Sequence, residues 1–251
     1  LDTDAGRQWR PLEDTTGDPI ISDRQPKGWR SWQRSEDYYN EGLLLWLDAD
    51  SLIRERSHGE RSLDDFARAF FGVRDRDWGE LTYTFDDVVR ALNAVEPNDW
   101  ATFLRARLEN VSGHAPLDGL NRSGYRLAYT NTPSDWFKSY EKFRKITDLT
   151  YSGGLVVGKD GEITEVAWDS AAFNAGLSVG SKLIAIDGRA WDADQFKTCL
   201  KAGKSPLTLL VKTGDIYHST EFVWTNGLRY PKLEKTGGDT DWLGALLQKR
   251  P

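Results

Sequence analysis

The sequence predicts a multi-domain α plus β protein: a helical bundle followed by a β-barrel or sandwich with two helices. Three observations predict it. At 251 residues the chain exceeds one typical domain. Over residues 32–108 apolar side chains recur at three- and four-residue steps behind repeated helix-start signals. From Leu149 onward the pattern changes to period two, punctuated by glycine turns. The boundaries that follow are 1–30 for an extended connecting segment, 31–120 for the helical part and 121–147 for a linker. The β domain spans 148–226 and a tail spans 227–251.

Charge and composition narrow the function classes. The net charge is −6, acidic and basic residues are intermixed, and no basic run stands out. That argues against a nucleic-acid or anionic-membrane partner. No apolar run approaches the length of a membrane span. A single cysteine, Cys199, excludes an internal disulfide.

The connecting segment is punctuated by Pro11, Gly17, Pro19, Pro26 and Gly28 and shows no periodicity of its own. Residues 32–57 then read as one helix of roughly 39 Å at 1.5 Å per residue. Its expected face holds Trp32, Glu36, Tyr39, Gly42, Leu43, Trp46, Asp50 and Ile53, and Gly59 stops it. Gly42 stands three residues after Tyr39 on that face. A glycine inside a helix costs about 1 kcal/mol relative to alanine, so something approaching the backbone closely would explain it. The alternative is a buried tyrosine packing under a neighbouring helix.

Ser62 and Thr84 open two further helices with capping-box signals, and Asn98 is the expected cap of a third carrying Trp100, Phe103, Leu104 and Leu108 inward. Residues 110–124 read as loop, 125–129 as a strand, and 133–145 as a short helix or turn. In the period-two region Leu155, Val156 and Val157 form a strand, and 163–168 the next. A short helix follows Ser170, strand 182–186 ends in Asp187-Gly188, and Asp192 caps a helix to 202. Residues 207–211 and 217–224 close as a hairpin. The tail reads as loop with a short helix at 242–248.

Two resemblances add to this reading. WQRSEDYYNEGLLLWLDADSLIRERS with SLDDFARAFFG resembles the C-terminal part of the catalytic unit in the glycyl aminopeptidase family of zinc metallopeptidases. Tyr39-Asn40-Glu41-Gly42 is similar to the Tyr-x-x-Gly signature of aminopeptidase N-like enzymes. The resemblance implies the C-terminal half of a thermolysin-like catalytic domain. It implies a catalytic Tyr39 whose hydroxyl donates to the oxyanion of the tetrahedral intermediate, a peptide substrate with N-terminal Gly or Ala, and export in a bacterium. Tyr38 points roughly 100° away and is the lesser candidate.

Residues 148–226 resemble a PDZ domain of the bacterial protease-associated kind, through Ser170-Ala171-Ala172-Phe173-Asn174-Ala175-Gly176-Leu177 and Gly180 to the Asp187-Gly188 turn. That implies a C-terminal peptide ligand added as a strand to an exposed edge. The edge would be Leu155-Val156-Val157, beside helix 192–202. Ser152, Gly153, Gly154 and Leu155 precede it as a candidate nest for a carboxylate, or as a turn that serves only the fold.

The zinc of the resembled family has no ligands here. His-Glu-x-x-His is absent, and His58, His114 and His218 lie in separate elements. His218-Ser219-Thr220-Glu221 is followed by Phe222 where an inverted motif needs histidine, and Gly203-Lys204-Ser205 lacks the earlier glycine of a phosphate loop. The family's ligands and general base lie upstream of the stretch matching Trp32. The expectation is therefore a C-terminal part of a zinc aminopeptidase, inactive by itself. The alternative is a non-catalytic PDZ peptide-binding module on a helical scaffold.

Overall fold

The computed structural model describes residues 2–21, 29–74 and 76–248. A 3-10 turn at Ala5–Gln8 is followed by α1 (Leu12–Thr15) and α2 (Asp18–Ile21). The described part of the connecting segment up to Ile21 is thus made of short helical turns, not extended chain. Thr15 and Thr16 hydroxyls hold them by donating to the Leu12 and Glu13 carbonyls at 2.7 and 2.6 Å. Pro26 and Gly28 lie outside the described residues.

The single helix expected over 32–57 is two, α3 (Arg30–Gln33) and α4 (Asn40–Arg56). Arg34 and Glu36 interrupt it with φ of 53° and 44°. The cause is long-range. The buried Arg34 guanidinium donates to the Arg10 carbonyl at 2.6 Å. Arg10 returns bonds to the Gln33 and Arg34 carbonyls at 2.9 and 3.3 Å. Those carbonyls are the acceptors a continuing helix would have used. Only α4, about 26 Å of helix, remains of the expected 39 Å. Its stop is as expected: Gly59 has φ of 83°, and its N–H donates to the Arg54 carbonyl at 2.7 Å.

Next come α5 (Leu63–Phe71) and α6 (Phe85–Val95), each opened by the expected capping box on Ser62 and Thr84. The cap of α7 (Trp100–Leu108) is Asp99, which accepts from the Thr102 N–H at 3.1 Å, and not Asn98. Asn98 is taken up by Asn93, whose Oδ1 accepts its N–H at 3.1 Å. The expected loop at 110–124 contains α8 (Asp118–Arg122).

The remaining elements are β1 (Tyr125–Thr130), α9 (Asp135–Arg144), β2 (Ile146–Leu149), β3 (Leu155–Gly158), β4 (Ile163–Val166), α10 (Ala171–Asn174), β5 (Lys182–Ile186), β6 (Arg189–Ala190), α11 (Ala193–Lys201), β7 (Leu207–Thr213), β8 (Ile216–Phe222), β9 (Tyr230–Lys235) and α12 (Trp242–Leu246). Strands β2, β6 and β9 are not among those expected from the sequence. The antiparallel sheets run β2-β3-β4 and β6-β5-β7-β8, and β1 pairs with β9. The protein is mixed α and β, and no sheet among the described residues closes into the expected barrel. The three- and four-stranded sheets meet at one bridge, Glu162 with Lys182, too short a ladder for closure.

The chain forms two compact units. One comprises the described residues of 11–21, 36–127 and 233–251. Its core packs Leu45, Ala49 and Ile53 of α4 against Phe66, Leu92, Trp100 and Leu104. The expected face is kept in part: Ile53 and Asp50 are buried and Trp46 packs on this core, but Leu45 and Ala49 complete it in place of Tyr39 and Leu43. Leu43 and Tyr39 are 67% and 63% exposed. With α4 starting at Asn40, Trp32 and Glu36 are off the helix, and Leu45 and Ala49 set its inward phase. On another side of α4, α8 approaches so closely that a Cβ on Gly119 would stand 2.6 Å from Asp48 Cα. Buried Asp48 accepts there from Arg122 and, at 2.7 Å, from Arg107 Nε.

The second unit comprises the described residues of 1–10, 22–35 and 128–232. Its core gathers the inward residues of both sheets, among them Val157, Ile163, Leu183, Leu209 and Phe222, around Phe196 and Leu200 of α11. An aromatic cluster fastens α3 and its cap residue Trp29 to α10 and the loop before it. Trp32 stacks on Trp168 at 4.7 Å, and Trp29 meets Phe173 edge-on at 5.4 Å.

Candidate functional sites

In the helical unit Tyr39 is the N-cap residue of α4. Its ring lies 4.6 Å from that of Tyr38, and its hydroxyl has no hydrogen-bond partner among the described residues. A Cβ on Gly42 would meet nothing within 4 Å. The reading of Tyr39 as a buried tyrosine beneath a neighbouring helix is therefore overturned. Because the interruption at Arg34–Glu36 places Tyr39 at the helix start, its hydroxyl is left open to solvent beside a bare stretch of backbone. What the arrangement offers chemically is an uncommitted O–H donor.

In the other unit, Gly153, Gly154, Leu155, Val156 and Val157 are all buried. The expected free edge at Leu155-Val156-Val157 is the centre of its sheet. β4 pairs with β3 on one side, and on the other β2 pairs antiparallel, Leu149 opposite Leu155 and Thr147 opposite Val157. The expected nest is also filled. The N–H groups of Ser152 and Gly154 donate to the Leu149 carbonyl at 2.9 and 3.0 Å. The two glycines are fixed by packing as well. Gly153 and Gly154 have φ of 132° and 85°, and added Cβ atoms would lie 2.5 Å from the Phe222 ring and 2.1 Å from Ser170 Cβ. Buried Ser152 locks the turn by donating to the Arg229 carbonyl at 3.0 Å and accepting from its N–H at 2.8 Å.

On the far side of that turn lies a cleft of about 420 Å³, with Asp2, Tyr129, Tyr151, Gly154, Trp168, Asp169 and Arg229 in its wall. Tyr129 donates to Asp2 Oδ2 at 2.7 Å, and the Arg229 guanidinium lies 4.3 Å over the Tyr129 ring. Burial first, and then the bond to Asp2, raise the Tyr129 pKa. Burial, reinforced by Asp148, raises that of Tyr151. Both phenols stay neutral donors. This cleft leaves no local signal in the sequence, because its walls come from positions as far apart as Asp2, Tyr129, Tyr151 and Arg229.

His58, His114 and His218 fall on the turn after α4, a loop and β8. Among the described residues no group of three or more His, Cys, Asp or Glu side chains is placed to hold a metal ion. Among the described residues, then, the zinc of the resembled peptidases finds no set of ligands. Nor, among those residues, is any helix long and apolar enough to cross a membrane.

No family model matches the sequence, and no curated protein does. Among solved structures, the chain is similar to an aminopeptidase N family protein from Idiomarina loihiensis, at a TM-score of 0.57 and 19% identity over 94% of this chain. The chain spans 42% of that protein, so the likeness is one of fold over less than half its length. The HtrA3 PDZ domain bound to a phage-derived ligand also aligns, over 44% of this chain and 91% of the domain. Its identity is 15% and its TM-score 0.24, which supports no assignment.

Proposed function

We propose that this chain is the C-terminal part of a zinc aminopeptidase similar to the glycyl aminopeptidases, and that Tyr39 is its oxyanion donor. The observation that carries the reading is the Tyr39 hydroxyl, exposed and uncommitted at the start of α4, within a chain whose fold matches an aminopeptidase N family protein along 94% of its length. Peptide hydrolysis places negative charge on the scissile carbonyl oxygen in the tetrahedral intermediate. A hydroxyl donor held against that oxygen is worth about 3–4 kcal/mol of barrier. The metal ligands and general base of such an enzyme would lie on residues other than these 251. The substrate would be a peptide with N-terminal Gly or Ala, and the setting periplasmic or otherwise exported in a bacterium.

Two measurements test the reading. The 251-residue chain supplied with zinc should leave Gly- and Ala-p-nitroanilide intact; zinc-dependent cleavage would refute the division of labour. In a parent enzyme that includes the metal site, Tyr39→Phe should lower kcat roughly a hundredfold at unchanged zinc content. Equal rates would reduce Tyr39 to a surface residue.

A second reading concerns residues 148–226, a peptide-binding module of PDZ type. The observation favouring it is that β3 already holds an extended strand, β2, whose last carbonyl sits in the glycine turn.

A further inference from the structure

Strand β2 has three properties of a bound peptide. It is short, and it adds antiparallel to β3 along its whole length. Its final side chain, Leu149, is fully buried in the core cluster that contains Phe196 and Leu200 of α11. Its final carbonyl accepts two backbone N–H bonds from the turn at Ser152 and Gly154, at 2.9 and 3.0 Å. Two N–H groups of one glycine turn, two residues apart, converge on that oxygen, an arrangement that also suits a carboxylate.

One carboxylate ties the strand down from its outer side as well. Glu141 of α9 accepts from the Asp148 N–H at 2.8 Å and from Lys197 Nζ of α11 at 2.9 Å by each oxygen. Its side chain is 12% exposed. Glu141 thus blocks the outer edge of β2 and ties the strand to the helix across the groove. An edge N–H that would otherwise invite another strand is satisfied internally.

We propose that the groove between β3 and α11 is a peptide-binding site occupied in cis by Ile146–Leu149, and that in trans it takes C-terminal peptides ending in Thr-x-Leu. This rests on the peptide-binding reading of residues 148–226. Leu149 defines the pocket for the ligand's last side chain, and the ligand's carboxylate takes the two N–H groups now bonded to the Leu149 carbonyl. A tethered occupant competes at a millimolar effective concentration, so the intact protein masks the site and loosening β2 unmasks it.

The probe is a fluorescein-labelled peptide ending Ile-Thr-Asp-Leu with a free carboxylate, beside its C-terminal amide. Binding to the full chain is read by anisotropy, and exchange of the 146–149 amides by hydrogen–deuterium mass spectrometry. Glu141→Ala removes the tie from a surface helix, and Leu149→Ala empties the pocket. Each is expected to raise affinity for the free-acid peptide at least tenfold over wild type, with faster exchange at 146–149 and weaker binding of the amide. Binding that is equally strong in wild type and both variants overturns the cis occupancy while leaving a peptide site. No binding to any of the three, with either folded variant exchanging faster at 146–149, overturns both. If neither variant exchanges faster and neither gains affinity, β2 is a fixed part of the fold and the proposal fails.

Discussion

Asp48 shows how much one buried side chain decides. It accepts from Arg107 and Arg122 with its side chain 3% exposed, while the arginines keep 21% and 22%. Breaking such a group by removing the carboxylate leaves two partly buried cations facing each other. Asp48→Ala should therefore cost about 3–5 kcal/mol, measured by urea unfolding followed by circular dichroism. Lys138→Ala, which removes a pair with Asp135 that is 55% and 99% exposed, should stay within about 0.5 kcal/mol. Glycines divide the same way. Gly154→Ala must place a Cβ 2.1 Å from Ser170 at a φ of 85°, and should be strongly destabilising. Gly42→Ala meets open space on α4 and should stabilise the chain by roughly 0.5–1 kcal/mol. If both variants shift the urea midpoint alike, the packing described for the turn is wrong. Tyr39 and Gly42 were legible as a pair in the sequence. Their exposure was not, since it depends on where the helix begins.

Elements were legible where their signals are local. The Thr84 box was readable from four residues, and it has a measurable consequence. The Thr84 N–H, its hydroxyl and Arg90 together lower the Asp87 pKa from 3.8 to about 2. A depressed carboxylate pKa contributes stability above its unfolded value and loses it as pH falls through the folded one. The α6 contribution is thus present above about pH 4 and fades toward pH 2. Thr84→Ala should move the Asp87 carboxyl titration upward by NMR, though only partway, because the backbone bond is the largest cause and survives. An unchanged titration would mean the box does not form. Other elements left no local trace. The interruption at Arg34 depends on Arg10, 24 residues away. Strand β2 has a pattern of only four residues, and its partner β3 lies across the glycine turn at 152–154, which as sequence suits a carboxylate nest before a free edge equally well.

At the scale of the whole molecule, the mixture of a helical half and a sheet-rich half was visible as a change of period. The closed barrel was not there to be found, because closure needs ladder hydrogen bonds between β4 and β5 that the chain supplies at a single bridge. Hidden too was the interleaving of the two units, each assembled from three separate stretches of sequence. Contacts such as Trp32 on Trp168 leave no mark in either neighbourhood.

That interleaving sets a timetable for biosynthesis. Trp29 and Trp32 leave the ribosome well before Trp168 and Phe173 exist, and at about 5–20 residues per second the delay is roughly 7–30 s. Throughout that interval the nascent chain carries unsheltered indole rings next to a newly made helical segment. A holdase with a taste for tryptophan, or a slow codon stretch placed after residue 232, would change the yield of native protein without altering one contact in it.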